Sequence, residues 1–176
     1  TDIAWRISKA WQGRTGGLVM EDAYHGCTDA TADLSPFRWP KGYVPSHIGC
    51  LENPDTYRGR FGLDDLDAGQ KYAEDVDRKV ADLEAKGHQL ASSVICTAFC
   101  TNGMPDLPPG YYANVAERTR AHGGLVIADE VQYGFGRPGS HFWGYEMYDV
   151  EPDMVVLGKP VANGMPLGAV ILRSDI

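Results

Sequence analysis

The chain has 176 residues, of which 43% are hydrophobic, and it carries a formal net charge of -8. This composition predicts a globular domain with a real core, because disordered chains contain fewer apolar residues. The acidic balance would repel a phosphate backbone, so no nucleic acid partner is expected. Apolar runs stay well short of the roughly 18 residues that a membrane span needs, so no membrane partner is expected either.

The cysteine spacing indicates thiols rather than disulfides or a metal site. The four cysteines are Cys27, Cys50, Cys96 and Cys100, with no C-x-x-C pair among them. This predicts reduced thiols in a cytoplasmic protein. Cys96 and Cys100 would face each other only on a helix, and their stretch is typical of a strand followed by a loop. We therefore expect them to lie apart.

The first third of the chain alternates between clear and ambiguous patterns. Apolar residues at helical spacing predict a helix over residues 2–12, and a short strand follows over residues 18–20. Residues 24–34 are ambiguous between loop and short helix. Residues 36–62 contain four prolines among glycines and aromatics, which predicts a long irregular excursion. Such a segment either carries function or wraps the surface, packed by its own aromatics.

The remaining elements alternate between helix and strand. Helices are predicted over residues 71–86 and 111–121, and strands over residues 93–97, 125–129, 153–157 and 167–172. This alternation predicts an α/β fold with three layers and a mixed, mostly parallel sheet. The last two strands are joined by too few residues for a helical crossover, so we expect that pair to be antiparallel.

Two of these strands end in opposite charges. Asp129 ends the apolar run of one strand, and Lys159 follows the next strand across Gly158. Ligands bind at the carboxyl edge of an open α/β sheet. A lysine that forms a Schiff base and a carboxylate that pairs with a pyridinium nitrogen are the groups that pyridoxal phosphate (PLP) chemistry needs. An ordinary surface lysine and a structural carboxylate are the alternatives.

A glycine-rich segment over residues 134–139 follows the strand that ends at Asp129. It spells G-x-G-x-x-G, but Pro138 and an aromatic segment stand where a nucleotide-binding loop would open a helix. Asp129 and Glu130 would also repel a pyrophosphate. We therefore predict a turn-rich loop whose glycines adopt positive φ.

The order and spacing of several short segments resemble the class III aminotransferases, which are fold-type I PLP enzymes. Within that class the chain most resembles the alanine–glyoxylate and phosphoethanolamine lyase-like branch. The segments are Ala23-Tyr24-His25-Gly26, Pro54-Asp55-Thr56-Tyr57-Arg58-Gly59, Leu107-Pro108-Pro109-Gly110-Tyr111, residues 128–132 with Gly134-Phe135-Gly136-Arg137, His141-Phe142-Trp143-Gly144, and Gly158-Lys159-Pro160 with Asn163-Gly164.

The resemblance implies an enzyme with ping-pong chemistry. An amino acid or amine would donate its amino group, and a keto acid or aldehyde would accept it. Lys159 would be the Schiff-base lysine and the proton carrier, and Asp129 would pair with the pyridinium nitrogen. A PLP-dependent phospho-lyase that acts on a phosphorylated amine, and a non-catalytic aminotransferase-like segment, are the alternatives.

The resemblance also implies four further cofactor-binding residues. Val131 and Tyr24 would pack on the two faces of the cofactor ring, and Gln132 would lie near its phenolic oxygen. His25 would support Tyr24 or the pocket wall. The family's Glu-Pro pair corresponds to Thr97-Ala98 in this chain, a change expected to reshape the substrate pocket.

The resemblance finally implies how the chain relates to a whole enzyme. Residues 1–176 would be the central part of the PLP-binding large domain. The phosphate-binding loop would precede them, and the C-terminal small domain would follow. A homodimer is expected, because the sites of this family form between subunits.

Overall fold

The computed structural model describes residues 1–176, in which six strands form one sheet. The strands are β1 (Gly16–Met20), β2 (Ile48–Leu51), β3 (Leu90–Cys96), β4 (Leu125–Asp129), β5 (Met154–Leu157) and β6 (Ala169–Leu172). The α-helices are α1 (Asp2–Gln12), α2 (Asp29–Ala32), α3 (Ala68–Ala73), α4 (Asp75–Ala85) and α5 (Tyr111–Ala121). Short 3-10 segments cover Pro36–Arg38, Cys100–Asn102, Gly144–Tyr148 and Lys159–Ala162. None of the helices is both long and apolar enough to cross a membrane.

The strand order is β2-β1-β3-β4-β5-β6. All neighbours are parallel except β6, which runs antiparallel to β5. The predicted mixed, mostly parallel sheet and its antiparallel last pair are therefore confirmed. The central strands β3 and β4 are buried along their whole length, including the two serines in the middle of β3.

Helices cover both faces of the sheet. A Cβ on Gly17 of β1 would lie 2.8 Å from the ring of Trp5, which belongs to α1. On the neighbouring strand β2, a Cβ on Gly49 would lie 3.1 Å from the side chain of Lys79 on α4. Gly17 pairs with Ile48 and Leu18 pairs with Gly49, and successive residues of a strand face opposite sides. Helices α1 and α4 therefore pack on opposite faces, which completes the three layers.

Two predicted elements differ from the structure. The irregular excursion over residues 36–62 contains the parallel edge strand β2. Four residues that include Gly49, between Pro45 and Pro54, are too few to show a strand pattern. The rest of that segment wraps the surface, and Phe61 packs edge-on against Tyr72 with ring centroids 4.9 Å apart.

The predicted helix over residues 71–86 consists of two helices. Helix α3 ends at Ala73 and α4 begins at Asp75, so only Glu74 lies between them. Glu74 itself keeps helical backbone angles, with φ of -60° and ψ of -18°. The apolar periodicity therefore continues across the junction, and the division leaves no mark in the sequence.

The chain connections place a topological switch point beside β1. From β1 the chain moves outward to β2, and it then returns to the opposite side of β1 to form β3. Ligand sites of open α/β sheets lie at such points, outside the carboxyl ends of the strands. The carboxyl ends of β1, β3, β4 and β5 all meet at this edge.

Candidate active site

A small cavity opens at the carboxyl edge of the sheet. Its volume is about 110 Å³. A cavity of about 150 Å³ holds benzene, so this one approaches the size of a single aromatic ring. All six predicted site residues line it, together with three others. The lining residues are Thr1, Tyr24, His25, Gly26, Cys96, Asp129, Val131, Gln132 and Lys159.

Asp129 is a buried carboxylate whose two oxygens both have partners. It ends β4 and is 4% exposed. Its Oδ2 lies 2.7 Å from Nδ1 of His25, and its Oδ1 accepts the backbone N–H of Val131 at 3.1 Å. A buried carboxylate needs such partners. The turn that follows β4 therefore fixes the position of the carboxyl group at the cavity wall.

His25 is the principal partner of Asp129. Its side chain is fully buried, and Nδ1 is the donor because a carboxylate only accepts. Its backbone N–H donates to Oγ of Ser35 at 2.9 Å, and the single proton of that hydroxyl faces the carbonyl oxygens of Gly26 and Thr31, each 2.8 Å from Oγ. The segment after β1 is thus held in one conformation. The second ring nitrogen, Nε2, is buried without a hydrogen-bond partner.

His25 was expected to support Tyr24 or the pocket wall, and it lies at the wall of the small cavity. It contacts Asp129, a pairing that the family resemblance did not imply. Tyr24 lines the same cavity and is 38% exposed. Tyr24 and His25 are consecutive residues of the irregular segment after β1, yet His25 is only 4% exposed. Tyr24 therefore has an accessible ring, while His25 is enclosed.

Lys159 reaches the cavity from the end of β5. Its backbone has φ of 47°, which is uncommon for a residue with a side chain and stores strain of about 1–3 kcal/mol. The residue is exposed, unlike Asp129. A Cβ on Gly158 would lie 3.3 Å from the side chain of Val131, so a larger residue there would push Val131 by a few tenths of an ångström. The strained turn brings the lysine to the cavity that Asp129 lines.

Cys96 was not predicted as a cavity residue, although it ends β3 and pairs in the sheet with Asp129. Thr97, expected to shape the pocket, does not line this cavity. It is fully buried, its carbonyl accepts the hydroxyl of Tyr148 at 3.1 Å, and its side chain lies against Gly144. Strand β3 ends at Cys96, one residue earlier than predicted, and the side chain of Cys96 lines the small cavity.

Glu130 is fully buried next to Asp129 but serves a different purpose. Its two carboxylate oxygens accept the backbone N–H groups of Gly144 and Tyr145 at 2.9 and 2.8 Å. Burial raises the pKa of Glu130 despite these hydrogen bonds. Glu130 therefore anchors the 3-10 segment Gly144–Tyr148 against the sheet.

Replacing Glu130 with alanine is expected to lower the free energy of unfolding by roughly 2–6 kcal/mol, because it leaves two N–H groups unpaired and each costs about 1–3 kcal/mol. Glu130→Gln keeps one acceptor and should lower it by roughly half as much. Urea unfolding followed by circular dichroism measures both variants. Equal midpoints for the wild-type protein and the alanine variant would contradict this anchoring role.

The glycine-rich segment forms a closed turn, as expected. Gly136 and Gly139 have φ of 77° and 87°. The N–H of Gly136 donates to the carbonyl of Phe142 at 2.9 Å, and Nε of Arg137 donates to the carbonyl of Gln132 at 2.7 Å. The next regular segment is the 3-10 turn Gly144–Tyr148. This loop therefore holds the backbone of Gln132 in place through Arg137.

The comparisons with known proteins identify the family. The sequence matches the profile described as Aminotransferase class-III over residues 2–176. The chain belongs to the class III aminotransferase family. This class III chain is 34% identical to ethanolamine-phosphate phospho-lyase homolog 1 of Caenorhabditis elegans, covering 99% of the chain and 40% of that protein. It is 35% identical to an alanine–glyoxylate aminotransferase 2-like protein of Drosophila melanogaster, covering 99% of the chain and 37% of that protein.

Solved structures agree with this assignment. A phospholyase from Arthrobacter, in complex with phosphoethanolamine, is 40% identical with a TM-score of 0.90, over 98% of the class III chain and 41% of that structure. A taurine:2-oxoglutarate aminotransferase from Bifidobacterium kashiwanohense, in complex with PLP and glutamate, is 27% identical with a TM-score of 0.79. The match covers 96% of the class III chain and 39% of that structure. The chain thus spans about two-fifths of the length of these relatives. The expected fold-type I architecture and branch are confirmed, and PLP is the cofactor of the family.

The residues around the small cavity fit the ring of PLP. Asp129 offers a buried carboxylate for a protonated ring nitrogen, and Lys159 offers a primary amine. Val131 and Tyr24 offer apolar surface at the same cavity. Nε2 of His25 is a buried polar atom that a polar group of a ligand would satisfy.

Proposed function

We propose that the protein is a PLP-dependent enzyme that moves an amino group from an amino acid or amine to a keto acid or aldehyde. One observation carries the proposal: a buried carboxylate, oriented by a buried histidine, lines the same cavity as a lysine on a strained turn. An ordinary surface lysine and a capping carboxylate do not account for that combination. Strained backbone and buried charge both cluster at functional sites.

The bound cofactor would supply an electron-withdrawing ring that stabilises negative charge on the substrate carbon next to nitrogen. Asp129 would keep the ring nitrogen protonated, because a buried carboxylate favours a positive charge beside it. The Nζ of Lys159 would take the proton from the substrate carbon and deliver it to a different carbon, which completes a 1,3-transfer. Val131 and Tyr24 would hold the ring plane, and Gln132 would hydrogen-bond its phenolic oxygen.

His25 would be a positioning residue in this scheme. Its Nδ1 holds Oδ2 of Asp129, and the N–H of Val131 holds Oδ1. The carboxylate therefore cannot rotate away from the cavity. Such preorganisation matters because a group that must reorient during the reaction stabilises charge less effectively.

We further propose that residues 1–176 are the central part of the large domain, and that the phosphate-binding loop and the small domain lie outside them. The share of each relative that the chain covers supports this division. A homodimer and a cytoplasmic location also stay predictions. Relatives with a mitochondrial location occur, among them the human alanine–glyoxylate aminotransferase 2.

The cofactor site can be tested without measuring activity. The chain is incubated with less than one equivalent of PLP and reduced with borohydride, and the peptides are mapped by mass spectrometry. We expect the pyridoxyl label on Lys159 before any other lysine. The competing side chains are Lys9, Lys41, Lys71, Lys79 and Lys86. Label spread evenly over all lysines, or equal labelling of a Lys159→Ala variant, would contradict the proposed site.

A phospho-lyase reaction on a phosphorylated amine is the second candidate. The 40% identity to the Arthrobacter phospholyase, over nearly the whole chain, favours it. The two reactions differ in their need for an acceptor. The full-length protein is given L-alanine with and without glyoxylate, and separately phosphoethanolamine without any acceptor. Pyruvate formed only with glyoxylate supports transfer, and phosphate released without an acceptor supports the lyase. A labelled Lys159 with neither product would favour the non-catalytic alternative.

A further inference from the structure

A larger cavity adjoins the small one at the same edge of the sheet. Its volume is about 520 Å³, which is in the range of small-molecule sites. Gln132 lines both cavities, and the chain after β3 passes from one to the other, since Cys96 lines the small cavity and Ala98 lines the large one. A substrate whose amino-bearing carbon lies beside Lys159 can therefore extend past Gln132 into the large cavity.

The large cavity is mostly apolar and has one positively charged side chain. Eight of its twelve lining residues are hydrophobic, among them Phe99, Leu107 and Met147. Arg137 is the only basic residue in the lining, and Asp106 is the only acidic one. Apolar walls strengthen the attraction between charges, because they replace water that would screen it. The guanidinium group of Arg137 is therefore the feature of this cavity that selects a ligand.

Arg137 is fixed in position but has no acidic partner. Its Nε donates to the carbonyl of Gln132 at 2.7 Å, and one terminal nitrogen donates to the carbonyl of Val131 at 3.4 Å. No aspartate or glutamate forms an ion pair with it. A guanidinium group has five N–H donors, so these two bonds leave three of them free. Such a fork binds oxyanions well, because its donors match the spacing of carboxylate and phosphate oxygens.

We propose that Arg137 is a specificity-determining residue that binds an oxyanion carried by the substrate away from its amino-bearing carbon. The oxyanion is a carboxylate, sulfonate or phosphate-like group. This inference rests on the proposed function, because the amino-bearing carbon has to lie beside Lys159 for the rest of the substrate to reach Arg137. Asp106 lines the same cavity and repels the same group, so the selectivity depends on the difference between the two charges.

The backbone contacts of Arg137 define the competing explanation. If Arg137 only holds the carbonyls of Val131 and Gln132, its loss lowers the reaction of every substrate by the same factor. If it also binds an oxyanion, its loss falls on the substrates that carry one. Two amino donors that differ only in that group separate the two roles.

The first test compares aminoethylphosphonate with ethanolamine as amino donors to glyoxylate, in the full-length protein. The carbon–phosphorus bond of the phosphonate prevents release of phosphate by a lyase reaction. We expect Arg137→Gln to lower kcat/KM for the phosphonate about 10–100-fold, mainly through KM, because a charge-assisted hydrogen-bonded pair is lost. The value for ethanolamine, which makes no such contact, should change by less than about threefold. An almost unchanged ethanolamine rate also shows that the variant is folded.

Three further variants sharpen the comparison. Arg137→Lys keeps the charge without the fork and should retain part of the preference for the phosphonate. Asp106 is exposed, so Asp106→Asn should raise kcat/KM for the phosphonate by only about two- to fivefold, as a partly screened repulsion disappears. Arg38→Gln is the matched control, since Arg38 is exposed and lines neither cavity. The same comparison with β-alanine and with taurine identifies the preferred oxyanion, and a selective loss for any of the three supports the site.

A binding measurement separates failure of this inference from failure of the proposed function. Ethylphosphonate has the oxyanion but no amine, and calorimetry with the PLP-loaded protein measures its Kd without turnover. We expect binding to Arg137→Gln to be at least about tenfold weaker than to the wild-type protein. That difference without any amino transfer would contradict the proposed function and leave the oxyanion site standing. Equal Kd values, no binding to the wild-type protein, or an equal loss of kcat/KM for both donors would overturn the oxyanion site.

Discussion

Replacing Lys159 with alanine is expected to lower the amino-transfer rate of the full-length protein by about 10⁴-fold or more. The variant loses the amine that bonds to the cofactor and the base that moves the substrate proton, and proton transfer alone contributes about 10²–10⁴-fold. The loss should fall on kcat rather than on KM, because Lys159 is needed for reaction and not for holding the substrate. Steady-state rates with L-alanine and glyoxylate measure this.

The Lys159→Ala variant has a matched control and a distinctive rescue. Lys41 is exposed on a surface turn, so Lys41→Ala should leave both rate and stability unchanged. A small amine such as methylamine, added to Lys159→Ala, should restore part of the rate in proportion to its concentration, because it can carry the missing proton. A Lys159→Ala variant that keeps a tenth of the wild-type kcat would refute the assignment.

Replacing Asp129 with asparagine is expected to lower kcat by about 10²–10³-fold, the usual effect of removing one preorganised electrostatic group. The amide keeps the shape of the side chain and one acceptor, but it cannot stabilise a positive charge on the cofactor ring. Glu130→Gln is the contrasting variant. It should lower the free energy of unfolding while kcat is retained, because the Glu130 carboxylate holds the backbone N–H groups of Gly144 and Tyr145 and does not line the small cavity.

The role of His25 can be separated from that of Asp129 by a double-mutant cycle. His25→Ala alone should lower kcat, because Asp129 then loses its 2.7 Å partner. Added to Asp129→Asn, the same change should have little further effect, since both act through one carboxylate. Fully additive losses would show that His25 acts on its own. A kcat for Asp129→Asn within tenfold of the wild-type value would contradict the proposed role of the carboxylate.

Local patterns in the sequence were sufficient for the framework of the site. The apolar run of β4 ends at Asp129, and the run of β5 ends just before Lys159. Parallel strands deliver their carboxyl ends to one edge, so the strand pattern alone predicts that the two charges lie together. The antiparallel orientation of β6 could also be predicted, because the connection that precedes it is too short for a crossover helix.

Contacts between distant residues could not be read in this way. His25 and Asp129 are 104 positions apart, and their hydrogen bond depends on how the segment after β1 packs over the end of β4. The edge strand β2 is stabilised by its pairing with β1 rather than by a pattern of its own. Neither contact has a local signature, because the energy that stabilises it comes from residues elsewhere in the chain.

The sequence by itself determined the fold class, the family and the two charged residues at the strand ends, because each depends on local periodicity or on short motifs. Only the tertiary structure decided which side chains complete the site. It joined His25 to Asp129, and it placed Cys96 at the wall of the small cavity. The physical reason is that these contacts join residues far apart in the chain, so they depend on how whole elements pack and leave no mark in the local apolar pattern.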